Sequence, residues 1–302
     1  MITWVIGSGG LLGSALVRHV DRTFVASPVP WNDADRATEH LSQEAQRFGA
    51  QLNGSPWTII WAAGAATTSS SPAETDAELQ CLRGLLTGIR AHLPAGSGHF
   101  FLTSSAGGVY AGSANPPFDR NTEVRPLSAY GELKLAQEAL ASEVLADFAT
   151  VTIGRVSNLY GPGQDLGKLQ GLISRLALAS ITRQPINIFV PLDTIRDYIY
   201  VKDAAETIVN LVKQSRVGAS VRVEIIASGL PATVAQLLQT MTSLSKKRVP
   251  VALGSHPSSR VQALDLRLEP SVPLAIGTPL PVGMKAVLLD ILQQVQKKPH
   301  AI

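Results

Sequence analysis

The chain has 302 residues, of which 45% are apolar and 16% are charged, and its formal net charge is +3. This length and apolar content suit a protein with a full hydrophobic core, and the low charged fraction excludes a disordered scaffold. The basic residues are spread along the chain, and the densest run, 246–248, fits a solvated helix end. No nucleic-acid partner is therefore predicted.

Cysteine usage and hydropathy predict a cytoplasmic protein. No segment contains 18 uninterrupted apolar residues, so no membrane span is expected. The first residues are typical of a core strand rather than of a secretory signal. The one cysteine, Cys81, excludes an internal disulfide and fits a reducing compartment.

The first motif along the chain is a glycine-rich turn between a strand and a helix. Residues 2–6 are apolar and β-branched, which predicts a buried strand, and an apolar helix is predicted from Leu11 to about His19. Glycines between them permit a sharp turn, a close approach of backbone amides to phosphate, and tight packing of helix on strand. The helix N-terminus favours a negative charge. We therefore predict a site for a dinucleotide's pyrophosphate, formed by Gly7, Gly9, Gly10, Leu11, Leu12 and Gly13.

Strands and helices then alternate, which predicts a Rossmann-type α/β fold: a doubly wound parallel sheet covered on both faces. The further predicted strands are 23–27, 57–61, 99–103, 150–156 and 221–226, and the predicted helices are 35–48, 74–92, 130–146 and 203–213. Small residues follow the strand 57–61, and we expect Ala62, Ala63 and Gly64 to lie under the cofactor.

Beyond Asn158 the pattern is interrupted by many prolines and glycines. We predict a Rossmann domain over 1–159 plus about 196–227. A smaller, discontinuous substrate-binding lobe is expected over about 160–195 plus 228–302.

A tyrosine and a lysine lie four residues apart on one face of a predicted helix, at Tyr130 and Lys134. A free tyrosine has a pKa near ~10 and accepts protons poorly at neutral pH, whereas a nearby cation favours the phenolate. Lowering that pKa by about three units requires about 4 kcal/mol from Lys134 and its surroundings. Lys134 is also placed to bond a nicotinamide ribose. Because this spacing is common, an ordinary surface helix is the alternative.

Two serines end the strand that precedes this helix. Ser104 and Ser105 fall at the carboxyl edge of a parallel strand, where doubly wound sheets bind ligands. A hydroxyl there can hold a substrate hydroxyl or carbonyl against the tyrosine. Serines that only cap the strand end are the alternative.

These motifs, together with 155–164 and 196–203, resemble the extended short-chain dehydrogenase/reductases, and more narrowly the NAD-dependent epimerase/dehydratase family that acts on nucleotide sugars. The matches follow one another in order across about residues 2–210. The resemblance implies that Tyr130 is the acid/base, with Lys134 as its partner and Ser105, or else Ser104, as the hydroxyl residue. It also implies that the substrate's diphosphate is held by Asn158, Arg196 and Arg260, since arginine grips phosphate oxygens in pairs.

The sequence also departs from that family. NAD-preferring members carry an acid at the end of the second strand, where this chain has Ala26-Ser27. The cofactor is therefore NAD or NADP, with Arg18, Arg22 or Arg36 available for a 2′-phosphate. Dehydratases of the family place an acidic pair after the strand-end threonine, and 106–108 has none, so dehydration is not expected.

The leading interpretation is a nucleotide-sugar epimerase that works by hydride transfer, and the alternative is an NADPH-dependent reductase of a keto-sugar nucleotide. A non-catalytic NAD(P)-binding sensor or scaffold is a third, which has no need of the Tyr130–Lys134 pair. The six histidines show no paired metal-ligand spacing, so no metal site is predicted. The resemblance implies a homodimer through helices 74–92 and 130–146, although their apolar stripe fits an intramolecular core equally well.

Overall fold

The computed structural model describes residues 2–167, 171–215, 218–254, 262–274 and 276–297. Its strands are β1 (Ile2–Ile6), β2 (Trp57–Trp61), β3 (Gly98–Ser105), β4 (Thr150–Val156), β5 (Asn158–Tyr160), β6 (Ile186–Ile188), β7 (Ile195–Tyr200), β8 (Ser220–Ile226), β9 (Pro231–Thr233), β10 (Val251–Leu253) and β11 (Asp265–Leu266). Its helices are α1 (Leu11–Val17), α2 (Ala34–Ala50), α3 (Pro72–His92), α4 (Ala106–Val109), α5 (Ala129–Leu145), α6 (Leu172–Thr182), α7 (Val201–Gln214), α8 (Val234–Ser245) and α9 (Leu280–Lys297).

The centre of the molecule is a parallel sheet with the strand order β1-β2-β3-β4-β8. Every residue of β1, β2 and β4 is buried, as expected for strands covered on both faces. Helices α2, α3 and α5 cover one face through residues such as Leu41, Leu82 and Leu140. Helices α1 and α7 cover the other face through Leu16 and Ile208. The predicted doubly wound α/β fold is confirmed.

The predicted second strand over 23–27 is wrong. Only Thr23 pairs with the sheet, in a single parallel bridge to Thr3. The Thr3 amide and carbonyl bond residues 22 and 24, so this segment runs along the free edge of β1. Pro28 and Pro30 lack backbone N–H groups, and proline cannot donate to a continuing ladder.

Side chains of α2 bind the backbone of this segment in place of a strand. Arg47 donates to the Val25 carbonyl over 2.7 Å, and Glu44 accepts from the Ser27 amide over 3.3 Å. The segment therefore stays beside the sheet without joining it.

Helix boundaries follow from capping side chains. Ser71 and Glu74 form a capping box with Pro72 in the first turn, so α3 begins two residues before the predicted start. Ser128 accepts from the Gly131 amide and starts α5 just before Tyr130.

Apart from α7 and β8, which belong to the central layers, the elements after β4 form smaller units. Strands β11, β7 and β5 pair in parallel, β9 pairs antiparallel with β7, and β6 pairs with β10. Helices α6, α8 and α9 pack together around Leu176, Leu237 and Met284. Within the described ranges, no helix has the length and apolar character needed to cross a membrane.

One buried histidine of the sheet is held neutral. His99 of β3 is 3% exposed, and its Nε2 lies 2.9 Å from the Thr152 hydroxyl. Burial, and then the positive charge of Arg222, lower the pKa of His99 to about 4.

This histidine makes stability depend on acid. An unfolded histidine has a pKa near ~6.5, so the unfolded chain binds more protons than the folded chain between about pH 6.5 and pH 4. We expect the contribution of His99 to the free energy of unfolding to fall by about 2–3 kcal/mol between pH 7 and pH 4.5. Denaturant unfolding at both pH values should show a smaller loss for His99→Gln than for the wild type. His92→Gln, at an exposed site on α3, serves as control. Equal losses in all three proteins would contradict the assignment.

Candidate active site

The glycine turn closes tightly on the end of β2. Gly7 has φ +86°, and a Cβ there would lie 2.6 Å from the Ala63 amide nitrogen. A Cβ on Gly13 would overlap the Gly7 carbonyl oxygen. The Gly10 amide donates to that same carbonyl over 3.0 Å. The packing of the chain on itself therefore requires Gly7 and Gly13, and it brings the turn against Ala62 and Ala63.

Gly9 is different, because its small size is not required by the packing of the described residues. Gly9 is exposed, and a Cβ added to it would meet none of their atoms within 4 Å. The turn therefore leaves open space above its backbone, which fits a bound phosphate group. Leu12 is buried in the core, so its side chain faces away from such a group, whereas Leu11 is half-buried.

Helix α5 begins beside α4, the short helix that directly follows β3. Tyr130 is half-buried, and its ring packs against Gly108, where a Cβ would lie 3.0 Å from the ring. Lys134 is buried, and its Nζ lies 5.5 Å from the centre of the Tyr130 ring. The predicted pair therefore shares one face of α5.

A carboxylate that the sequence analysis missed lies against Lys134. The lysine Nζ donates to Glu78 Oε1 over 3.0 Å and to Gln137 Oε1 over 2.9 Å. Burial opposes ionisation of Glu78, but the Lys134 charge and the Ala66 amide outweigh it and hold the pKa of Glu78 below its usual value. A signal was present in the sequence: Glu78 lies four residues before Leu82 and so falls on the apolar face of α3.

The two strand-end serines have different surroundings. Ser104 is buried and donates to Glu138 Oε1 over 2.6 Å. Glu138 also accepts Arg155 Nε at 3.0 Å and Arg155 Nη2 at 2.7 Å, which commits Ser104 to a buried network. Ser105 is half-buried, and its hydroxyl accepts from the Gly108 amide over 3.1 Å at the start of α4. Of the two, Ser105 has the more accessible hydroxyl.

Two of the predicted phosphate ligands lie on neighbouring strands. Asn158 of β5 is exposed, pairs in register with Tyr198 of β7, and donates to the Asp197 carbonyl over 3.0 Å. Arg196 precedes Asp197, and burial lowers the pKa of its guanidinium. Arg260 lies outside the described residues.

Ser105 and Asn158 lie at the same edge of the sheet. Ser105 pairs with Val156, the last residue of β4, and Asn158 follows two residues later. Nearby, the Thr103 and Ser157 hydroxyls are buried, and within the described part of the chain neither has a hydrogen-bond partner. Two buried hydroxyls near the carboxyl ends of these strands are therefore unpaired in the described part of the chain.

Comparison with known proteins identifies the class. A sequence model of the NAD dependent epimerase/dehydratase family matches residues 3–226, and the chain belongs to this family. The chain is 36% identical over 90 residues to dTDP-L-rhamnose 4-epimerase of Burkholderia thailandensis, which is 29% of this chain and 25% of the relative. It is 29% identical over 149 residues to dTDP-4-dehydro-6-deoxyglucose reductase of Escherichia coli, which is 48% of this chain and 46% of the relative. The chain thus spans less than half the length of these relatives.

A solved structure shows the same fold over almost the whole chain. UDP-glucose 4-epimerase of Thermotoga maritima, determined with UDP-glucose, superposes with a TM-score of 0.81 at 18% identity. The superposition covers 98% of this chain and 100% of that one.

The packing of the turn predicts that substitutions at two of its glycines differ in their effect on stability. Gly13→Ala should lower the free energy of unfolding by about 3 kcal/mol, because its Cβ would overlap backbone atoms of Gly7 that cannot move aside. Gly9→Ala should change it by no more than about 0.5 kcal/mol, because the space is open. Denaturant unfolding of both variants measures this. Equal destabilisation would show that the turn is packed differently.

Proposed function

We propose that this protein is an NAD(P)-dependent nucleotide-sugar epimerase that works by hydride transfer, with Tyr130 as its acid/base. The observation that carries the proposal is the Tyr130–Lys134 pair on one face of α5, 5.5 Å from ammonium to ring, beside helix α4 that follows Ser105. The family match over residues 3–226 supports it.

The residues at the sheet edge fit a dinucleotide. The open space over Gly9 and the backbone of Gly7, Gly10 and Leu11 would hold its pyrophosphate, and Ala62 to Gly64 would lie under it. The family model supports NAD. When bound, the nicotinamide supplies a hydride acceptor and donor.

The protein's own groups would handle the proton and the substrate's position. The Tyr130 phenolate would take the proton of the reacting sugar hydroxyl and later return it. Ser105 would hold the same oxygen through its half-buried hydroxyl. Lys134 would favour the phenolate electrostatically, as far as its partner Glu78 allows.

The substrate would enter from the side of the smaller units. Asn158 and Arg196, on paired strands, would bind the diphosphate of a nucleotide sugar. The proposed lobe is about 160–195 plus 228–302, which contains α6, α8 and α9. The UDP-glucose bound to the Thermotoga maritima epimerase supports this substrate class.

A reductase of a keto-sugar nucleotide is the second candidate. The similarity to the Escherichia coli reductase over 149 residues favours it. The chain has Ala26-Ser27 at the position where NAD-preferring members carry an acidic residue, which suits a reductase that uses NADPH. The same residues would run the reaction in one direction only.

Assembly and location complete the proposal. A homodimer through α3 and α5 remains a prediction. The buried thiol of Cys81 supports a reducing cytoplasm.

Mass spectrometry of the denatured purified protein separates the two candidates. An epimerase that returns its hydride in each cycle should carry NAD+ through purification. A reductase should be purified empty and bind NADPH when it is added. A protein that carries no nucleotide and binds neither NAD(H) nor NADP(H) would refute both.

The Tyr130→Phe variant should turn over its substrate much more slowly but bind the cofactor normally. Removal of the acid/base should lower kcat on the true substrate by about 10²–10⁴-fold, with the cofactor Kd nearly unchanged. Gly9→Ala should instead weaken cofactor binding, since its methyl group would fill the proposed phosphate space.

Steady-state kinetics and fluorescence titration of the reduced cofactor measure these effects. Tyr160→Phe, in the cluster formed by α6, α8 and α9, is the matched control and should keep both properties. Normal turnover by Tyr130→Phe would refute its assignment as the base.

A further inference from the structure

We propose that Glu78 of α3 is a positioning residue of this site. It joins Lys134 to the loop after β2, residues 62–66 (the cofactor loop), and balances the charge of Lys134 beside Tyr130. This inference rests on the proposed function for the roles of Lys134 and Tyr130. Glu78 has no part in the hydride-transfer chemistry itself.

The first ground is the number of groups that meet at one carboxylate. Glu78 Oε2 accepts from the amides of Ala65 and Ala66, at 3.0 and 3.1 Å. Glu78 Oε1 accepts from Lys134 Nζ and Gln137 Nε2, both at 3.0 Å. One oxygen therefore binds the loop after β2 and the other binds α5.

The second ground is how closely the loop fits this carboxylate. A Cβ on Gly64 would lie 3.1 Å from Glu78 Oε1, so the backbone of the loop rests against the side chain. Gly64 is one of the residues predicted to lie under the cofactor. A displacement of the Glu78 carboxylate would therefore move the cofactor loop and the catalytic ammonium together.

The third ground is charge. Glu78 and Lys134 side chains are 10% and 7% exposed, so little water screens the pair. Lys134 Nζ lies 3.0 Å from Glu78 Oε1 and 5.5 Å from the centre of the Tyr130 ring. Tyr130 therefore faces an ion pair of small net charge rather than a free cation.

Other titratable groups lie on the two helices that carry the pair, α3 and α5. Burial raises the pKa of the Cys81 thiol, on the same helix, and the negative charge of Glu78 adds to that effect. Glu132, in the first turn of α5, is exposed to solvent. Because the pKa of Glu78 is lowered, its carboxylate is charged over the whole alkaline range.

The test is an alkaline titration of the protein without cofactor, followed by tyrosinate absorbance. The chain has five tyrosines. Burial raises the pKa of the other four, with Tyr198 at about 12, so they ionise late: Tyr110, Tyr160, Tyr198 and Tyr200. Subtraction of the Tyr130→Phe curve then isolates Tyr130.

Glu78→Gln should move the ionisation of Tyr130 down by about one pH unit, because the Lys134 charge is then unbalanced. Glu78→Asp keeps the charge and should titrate within a few tenths of the wild type. Glu132→Gln removes a solvated carboxylate from the same helix and should also match the wild type. An unchanged or raised midpoint in folded Glu78→Gln would overturn the charge role.

A second comparison covers the case in which Glu78→Gln does not fold, since one buried ion is then left without its partner. The double variant Glu78→Gln/Lys134→Gln should ionise Tyr130 at a lower pH than Lys134→Gln alone, by a similar amount. Equal midpoints in this pair would overturn the proposal.

Loop positioning has its own readout. Glu78→Gln should weaken binding of reduced cofactor several-fold, whereas Glu132→Gln should not. Unchanged binding by folded Glu78→Gln would overturn the positioning role. The titration requires no turnover, so a wild type without epimerase or reductase activity would refute the proposed function and leave the ion-pair test intact.

Discussion

The parallel pairing of β1, β2, β3 and β4 is the constraint on which the site depends. Parallel strands end at a common edge, and here four successive strand ends deliver the glycine turn, Ala62 to Gly64, Ser105 and Asn158 to that edge. Because helices cover both faces of the sheet, this edge is where a ligand can reach the backbone. Gly7 and Asn158, 151 positions apart in sequence, thus lie at the same edge of the sheet.

Helix α5 is joined to α3 and to the sheet by two buried ion pairs one turn apart. Lys134 pairs with Glu78 of α3, and Glu138 pairs with Arg155 of β4. Removal of one partner from such a pair leaves an uncompensated buried charge and costs about 3–5 kcal/mol. The pairs therefore fix the rotation of α5 about its axis, and that rotation sets the direction in which Tyr130 faces.

The fold gives neighbouring residues of the same type different surroundings. Ser104 and Ser105 are neighbours, yet alternation along β3 turns the first toward Glu138 and leaves the second half-exposed. Gly9 and Gly13 likewise belong to one motif, but only Gly13 is required by contacts within the protein. Such differences separate the residues that contacts within the protein fix from those that these contacts leave accessible.

The sequence by itself determined the strands 57–61 and 150–156 to the residue, the doubly wound fold and the family, because period, burial and glycine spacing are local properties. The strand predicted over 23–27 was wrong, although its composition suits a strand. Pro28 and Pro30 cannot donate to a continuing ladder, and side chains of α2 bind the backbone of this segment. Only the tertiary structure decided that Lys134 has a carboxylate partner and that Ser104 belongs to a buried network. Those contacts join residues 34 to 56 positions apart, and no local pattern encodes a pairing over such distances.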